Sequence, residues 1–373
     1  MRVWARVAGR EPGGSEAVAA ARAGDAARAG HQVALSARPE AARAPWAAAA
    51  RRAGVRLEAL PEVESKWDWR GLRRARAAMS GWRPHLVHLH LVHATADRYL
   101  PLLAPRGAVV ITTEHVRHEV PEGSQRWLKR FAARRLARVV AVSESVRRSL
   151  VSHYGLPERQ VMVIRNGVDL ERFAPGRDRA AARRSLGLPA LGYAVGSAGR
   201  LTRQKGFDVL LRACARLEGA WVLAVAGEGE EAGALRELAA ELGIEERVRW
   251  LGRVERMEEF YAAIDVFALG SRWEGLPITL VEALACGVPA VATAVDGSVE
   301  VLAAGGGVAV PPESPEALGA ALELWRDADG LRRMVGEQAA RVGRLFDWRN
   351  TWAAYEALYE EVTAWKRSVS PRS

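Results

Sequence analysis

The 373 residues carry 54 Lys and Arg against 44 Asp and Glu, a formal charge of +10, and 49% of them are hydrophobic. That length and apolar share suit a globular chain of two ordinary domains, and no run of about 20 apolar residues offers a membrane-spanning helix. Cys214 and Cys286 are the only cysteines, too few for a disulfide framework or a cysteine metal cluster. The N-terminal "MRVWARVAGREPGG" lacks the apolar core of a secretory signal, so a reducing cytoplasm is expected.

The charge is uneven. Residues 1–185 hold 34 Lys and Arg against 17 Asp and Glu, and the remainder holds 20 against 27. A basic half suits anionic lipid, an anionic glycan or nucleic acid. The arginine-rich, alanine-rich usage of a GC-rich genome accounts for part of this, but not for the difference between the halves.

In chain order, "RVWARVAG" reads as a strand weakened by Arg2 and Arg6. A glycine turn, an alanine-rich helix and the stop at Gly30 follow, then a second strand. "HLVHLHLVH" (85–93) and "AVVITTEH" (108–115) are the third and fourth. "RVVAVSESVRRSLVSHYGL" (138–156) is a strand and a helix, and "QVMVIRNGV" (160–168) a sixth strand. Strands alternating with helices predict a parallel, doubly wound α/β sheet. The region 174–190, "APGRDRAAARRSLGLPA", has a linker's composition. The alternation then restarts at 190–201, 220–229, 247–252, 265–271 and 289–294. Those near-continuous apolar runs predict strands buried on both faces. The expected layout is a domain over 1–173, a linker over 174–190 and a second domain over 191–345. The tail within 346–373 reads as a Trp- and Tyr-rich amphipathic helix. Ligands of such sheets gather beyond the carboxyl ends of the strands, so a cleft between two Rossmann-like domains is expected.

Several residues just after strands carry chemistry. Arg200 and Lys205 share one strand-to-helix loop, where two cations can converge on a diphosphate and stabilise a leaving group. Gly227-x-Gly229-x-x-Ala232 nominally matches a dinucleotide fingerprint. Glu228, Glu230 and Glu231 crowd it with negative charge, and the next strand lacks an acid for a ribose, so a nicotinamide site is excluded. In "SRWEGLPITLVEALACGVP" (271–289), Pro277 suits a helix start. The N–H groups of Ile278 and Thr279 would then form an anion site. Glu274 lies too early and Glu282 too late to cap that helix. Each can instead accept sugar hydroxyls, Glu282 those of a ribose.

At these residues the chain resembles the retaining glycosyltransferases of GT-B fold, specifically glycosyltransferase family 4. "EGLPITLVE" is similar to that family's E-x7-E signature. "GGSEAVAAARAGDAARAGHQV", "HLVHLH", "TTEH", "AVSESVRRSL", "VIRNGVDLERF", "AGRLTRQKG", "VAGEGEE" and "VRWLGRV" follow the family in order over nearly the whole chain. The resemblance implies a sugar moved with retention from a UDP- or GDP-linked donor to a hydroxyl of a lipid-linked, polysaccharide or other glycan acceptor. It implies Gly14 near the donor diphosphate and Arg200 and Lys205 on the phosphates. Glu274 would lie on the donor sugar, Glu282 on the ribose, His115 facing the reacting sugar, and Arg253 and Val254 near the base. The resemblance also implies that the helix within 346–373 crosses back onto the first domain, and no cofactor and no metal are expected.

His85, His88, His90 and His93 invite a metal reading on one strand, but no nearby carboxylate or cysteine completes a ligand set. The basic, tryptophan-bearing segments 65–83 and 126–138 suit either helices packed on their own sheet or contact with an anionic membrane. Peripheral attachment at the inner membrane face is thus an expectation. A non-catalytic nucleotide-sugar or lipid-binding protein and a GT-B epimerase are the rival readings. A nucleic-acid partner rests on net charge alone, with no recognisable module to support it.

Overall fold

The computed structural model describes residues 1–8, 14–40, 44–61, 63, 68–91, 99–116, 129–327 and 329–369. Two units emerge, Met1–Asn166 with Arg349–Ser373, and Gly167–Trp348.

The first unit holds strands β1 (Arg2–Ala8), β2 (Gln32–Ala37), β3 (Arg56–Ala59), β4 (Leu86–Leu91), β5 (Val109–Glu114), β6 (Arg138–Ala141) and β7 (Val161–Val163). They form one parallel sheet ordered β3-β2-β1-β4-β5-β6-β7. Its helices are α1 (Gly14–Arg28), α2 (Pro45–Arg52), α3 (Trp69–Trp82), α4 (Leu100–Leu103) and α5 (Glu144–Ser152). The weak-looking β1 is central. Arg6, 2% exposed, is absorbed by Ser36 Oγ at 3.1 Å and the Pro61 carbonyl at 3.0 Å. A buried guanidinium with its donors satisfied is tolerated where an unpaired one is not.

The second unit holds β8 (Tyr193–Ala198), β9 (Trp221–Ala226), β10 (Val248–Gly252), β11 (Val266–Leu269), β12 (Ala290–Thr293) and β13 (Gly307–Val310). They run parallel in the order β10-β9-β8-β11-β12-β13. Its helices are α6 (Arg179–Ser185), α7 (Phe207–Cys214), α8 (Ala232–Glu241), α9 (Met257–Ala263), α10 (Ile278–Ala285), α11 (Asp296–Leu302), α12 (Pro315–Asp327) and α13 (Asp329–Gly343); α14 (Trp348–Val369) follows. Tyr355, Leu358, Tyr359 and Val362 of α14 join Val3, Leu35 and Ile111 in one buried cluster of the first unit. Their spacing is that of one helix face.

Two expectations need correcting. The boundary falls at Gly167, and 174–190 is no linker but carries α6. Arg183 of α6 is 2% exposed and donates to the Ala263 carbonyl at 2.9 Å, the Gly192 carbonyl at 3.1 Å and Asp265 Oδ2 at 2.9 Å. An arginine that reads as solvated is spent on capping buried acceptors. Strands β3 and β13 were also unanticipated. Both lie at sheet edges with half-exposed residues, so neither shows the apolar run of a central strand.

No helix among the described residues is long and apolar enough to cross a membrane. In α3, Leu72, Ala75 and Met79 are buried, while Arg70, Arg73, Arg74 and Arg76 are exposed and Trp69 is 63% exposed. The apolar face of this helix is spent on its own sheet. Residues 65–67 and 126–128 of the two basic segments lie outside the described residues.

Candidate functional site

The sheet of the second unit reverses strand order between β8 and β11, where the loops beyond the strand ends diverge. Glycines bring three of these loops into contact. A Cβ on Gly206, whose φ is +58°, would lie 2.0 Å from the Gly270 carbonyl oxygen. A Cβ on Gly227 would lie 1.9 Å from the Gly199 oxygen, and one on Gly229 2.4 Å from that of Leu201. The G-x-G after β9 therefore serves backbone packing against the loop after β8. The Leu201 N–H reaches the Glu228 carbonyl at 2.8 Å and the Glu231 N–H reaches that of Leu201 at 3.0 Å.

Across this seam Lys205 Nζ donates to Glu274 Oε1 at 2.6 Å, and Ser271 Oγ donates to the same oxygen at 2.7 Å. Thr293 Oγ1, at the end of β12, donates to the Ser271 carbonyl at 2.5 Å. Arg272 grips Asp208 through two nitrogens, each at 2.8 Å, and its N–H reaches the Gln204 carbonyl at 2.8 Å. Gln204 Nε2 in turn donates to the Trp273 carbonyl at 3.0 Å. A bidentate guanidinium–carboxylate pair fixes geometry as well as adding attraction. Glu274 is 4% exposed, yet its Oε2 has no partner among the described residues. That oxygen can accept a hydroxyl. Arg200, half-buried on the same loop as Lys205, has no carboxylate partner among the described residues. Beside it, Thr202 Oγ1 is buried without a hydrogen-bond partner.

Pro277 is the cap of α10 rather than its first residue, and its carbonyl accepts from Leu280 and Val281. Ile278 and Thr279 are thus the first two helical residues, whose N–H groups have no carbonyl within the helix to bond. Thr279 Oγ1 is buried with no partner. Glu282, in the middle of α10, accepts from the hydroxyl of buried Tyr261 at 2.7 Å. Burial pushes its carboxyl up to about 7, partly countered by the Tyr261 hydrogen bond and the charge of Arg172. Neither glutamate caps the helix; each is held by a partner and keeps one oxygen open.

The other expected residues are more dispersed. Arg253, exposed, and Val254, half-buried, follow β10 at the sheet edge, two strands from β8. Among the described residues no hydrogen bond or ion pair joins them to the Lys205–Glu274 group. Gly14 opens α1 of the first unit, with no described residue within 4 Å of where a Cβ would stand. His115, also in the first unit, is 7% exposed, and its Nε2 shares a hydrogen bond with His90 Nδ1 at 3.1 Å. Burial lowers its pKa to about 4. His88 and His90 face the same side of β4, but no group among the described residues could hold a metal ion; His93 lies outside them. Sequence reasoning did not assign Ser271, Thr293 and Tyr261. They act through the glutamates, and their only signal is a hydroxyl beside an acid-bearing loop.

Residues 12–172 match the model of the family described as Glycosyltransferase Family 4, and residues 178–342 that of Glycosyl transferases group 1. The fold is that of the GT-B glycosyltransferases, and the two matches together span most of the chain, each stretch similar to a glycosyltransferase family. Curated relatives include the D-inositol 3-phosphate glycosyltransferases of Geodermatophilus obscurus and Kineococcus radiotolerans. The first is 37% identical over 63% of this chain and 55% of its own length. The second is 34% identical over 63% and 60%. The chain spans little more than half the length of these relatives. Among solved structures, a glycosyltransferase from Rickettsia africae superposes with a TM-score of 0.82 at 18% identity, over 97% of this chain and 98% of its own. The Anabaena HepE structure in complex with UDP and glucose gives 0.82 at 18% identity, over 97% and 100%.

Proposed function

We propose that this glycosyltransferase moves a sugar from a nucleotide-diphosphate donor to a hydroxyl of a glycan, lipid-linked or polysaccharide acceptor, with retention of configuration. The observation that carries the reading is the Lys205–Glu274 contact at 2.6 Å at the switch point of the sheet, with Glu282 eight positions on. Arg200, Lys205 and the N–H groups of Ile278 and Thr279 take the diphosphate and stabilise the departing nucleotide. Glu274 Oε2 accepts a hydroxyl of the donor sugar, and the open oxygen of Glu282 accepts from the ribose. Arg253 and Val254 border the base, Gly14 lets backbone approach the diphosphate, and His115 faces the reacting sugar. Two cations and a helix N-terminus supply the charge stabilisation a metal would otherwise give, so transfer proceeds without one.

Among the described residues the groups hydrogen-bonded to Glu274 are Lys205 and Ser271, both engaged with its Oε1, and in this reading the acceptor attacks on the face the leaving group departs from. The acceptor hydroxyl loses its proton to a departing phosphate oxygen as the C–O bond to phosphate breaks. UDP-linked sugars are the first donors to test, because HepE was solved with UDP and glucose. The curated relatives are named for D-inositol 3-phosphate, so a phosphorylated cyclitol belongs in the acceptor panel beside glycans and lipid-linked sugars. The exposed arginines of α3 suit an anionic acceptor or the anionic surface that carries one.

The deciding experiment is thermal shift with UDP, GDP and ADP, followed by transfer assays with the matching sugar conjugates with and without chelator. Stabilisation by one nucleotide and chelator-resistant transfer from its sugar support the reading. Binding without transfer to any acceptor in the panel would identify a non-catalytic binder.

A further inference from the structure

A line of buried polar side chains crosses the first unit. His88 and His90, two residues apart on β4, share a sheet face, and their ring centroids lie 4.1 Å apart at 31°. His90 stacks in turn on His115, centroids 5.4 Å apart at 28°, and the two share the 3.1 Å contact between His90 Nδ1 and His115 Nε2. At the far end His88 is held at both nitrogens. Its Nδ1 meets the Tyr359 hydroxyl at 2.7 Å and its Nε2 meets Thr113 Oγ1 at 2.8 Å. Thr113 Oγ1 also meets the Tyr355 hydroxyl at 3.0 Å. Both tyrosines belong to α14, so the last helix of the chain anchors a stack that ends at His115.

The chemistry gives this arrangement a consequence. Burial keeps all three rings neutral: His88 falls to about 3, His115 to about 4, and His90 well below its usual value. Tyr355 and Tyr359 are pushed above the usual phenol range, so both keep an O–H to donate. A neutral imidazole has one N–H and one lone pair. One proton therefore lies between His90 Nδ1 and His115 Nε2. If His90 donates it, His115 carries its own proton on Nδ1 and offers a donor. If His115 donates it, Nδ1 offers a lone pair. Nδ1 has no partner among the described residues.

We infer that His90 is a positioning residue that fixes the ring and tautomer of His115, and that Tyr359 and Thr113 anchor the far end of the stack. The consequence for transfer rests on the reading that His115 faces the reacting sugar. A ring with a set tautomer presents one kind of group to a substrate hydroxyl, and reorganises nothing during reaction.

The test combines nitrogen-15 histidine NMR on the full chain with transfer kinetics. His90→Phe keeps a stacked ring and removes the shared hydrogen bond, and His90→Asn restores a polar atom near the Nδ1 position. Tyr359→Phe, nearly isosteric, probes the anchor should His90→Phe fail to fold. In the unmodified chain His115 should show one neutral tautomer at pH 7. His90→Phe should move its ring nitrogens toward tautomer averaging and lower kcat roughly ten- to a hundredfold, with donor KM unchanged. His90→Asn should recover part of both, and Tyr359→Phe should move both a smaller distance the same way. Unmoved His115 resonances in the folded variants overturn the inference. Shifted resonances with equal turnover in the unmodified chain and His115→Ala uphold the positioning and overturn the assignment of His115 to the sugar.

Discussion

Lys205 and Glu274 stand 69 positions apart in the chain and meet at 2.6 Å where the strand order of the second unit's sheet reverses. The cation stands on the loop after β8 and the acid on the loop after β11, and Ser271 secures the acid from its own loop. One ion pair thus brings a cation and an acid from two separate loops to one place.

Glu274→Gln keeps the shape and hydrogen-bonding reach of the side chain while removing its charge. Turnover should fall at least about a hundredfold, as for loss of a group aimed at a reacting centre. Arg200→Ala and Lys205→Ala should each remove most turnover too. Circular dichroism and the melting transition should show all three folded. Near-normal turnover in the set would refute the site.

With Glu282 on the ribose as proposed, donor binding should depend on pH. Its carboxyl is raised to about 7, so it is largely neutral below that value and charged above. Only the carboxylate accepts from both ribose hydroxyls, so donor KM should fall as pH rises from about 6 to 8. The Tyr261 hydrogen bond favours the charged form. Tyr261→Phe should therefore move the midpoint to higher pH, and a downward or absent shift would contradict the assignment.

The glycine seam makes a stability prediction. Gly206→Ala sets a side chain at φ +58° and 2.0 Å from the Gly270 carbonyl oxygen, so backbone must move. The cost should exceed about 2 kcal/mol, more than the usual strain of a left-handed residue alone. Gly14→Ala meets no described residue within 4 Å and should leave stability within about 0.5 kcal/mol. Urea midpoints of the two variants, compared at equal slope, measure the contrast.

The imidazole stack predicts acid sensitivity. His88 and His115 titrate near 3 and near 4 when folded, against about 6.5 when unfolded. A lowered folded pKa means the unfolded chain binds protons first. Stability should therefore be full above pH 6.5 and decline as pH falls toward 4, by a few kcal/mol per ring at most. His88→Gln should flatten that decline in urea titrations run from pH 7 to 4.

Anionic vesicles test the exposed arginines of α3. Since the apolar face of the helix is buried, attachment should be electrostatic and weaken steeply with salt. Charge reversal at Arg73 and Arg74 should remove it without altering donor binding. Equal partitioning onto neutral and anionic vesicles would exclude such attachment.

Much of this was legible in the residues. Apolar runs ending in glycine marked the central strands of the second unit, because strands buried on both faces carry little else. The Glu274–Glu282 spacing and the Arg200–Lys205 loop were visible as charges out of place. Three things were hidden. Arg183 reads as solvated, and only folding shows its donors consumed by carbonyls and Asp265. The glycines after β9 imitate a nucleotide fingerprint, and only the approach of Gly199 and Leu201 explains them. The histidines of β4 show period two in sequence, but their link to His115 and Tyr359 joins elements up to 271 positions apart.

The way the two units divide the chain sets an order of assembly. Residues 167–348 are continuous, whereas the first unit needs residues from Arg349 onward to cover Val3, Leu35 and Ile111. On a ribosome the second unit can finish while the first, made earlier, still waits for its closing helix. A nascent chain halted before Arg349 should resist protease over residues 167–348 and be cut over the residues before them, because the earlier unit still lacks the helix that covers its core.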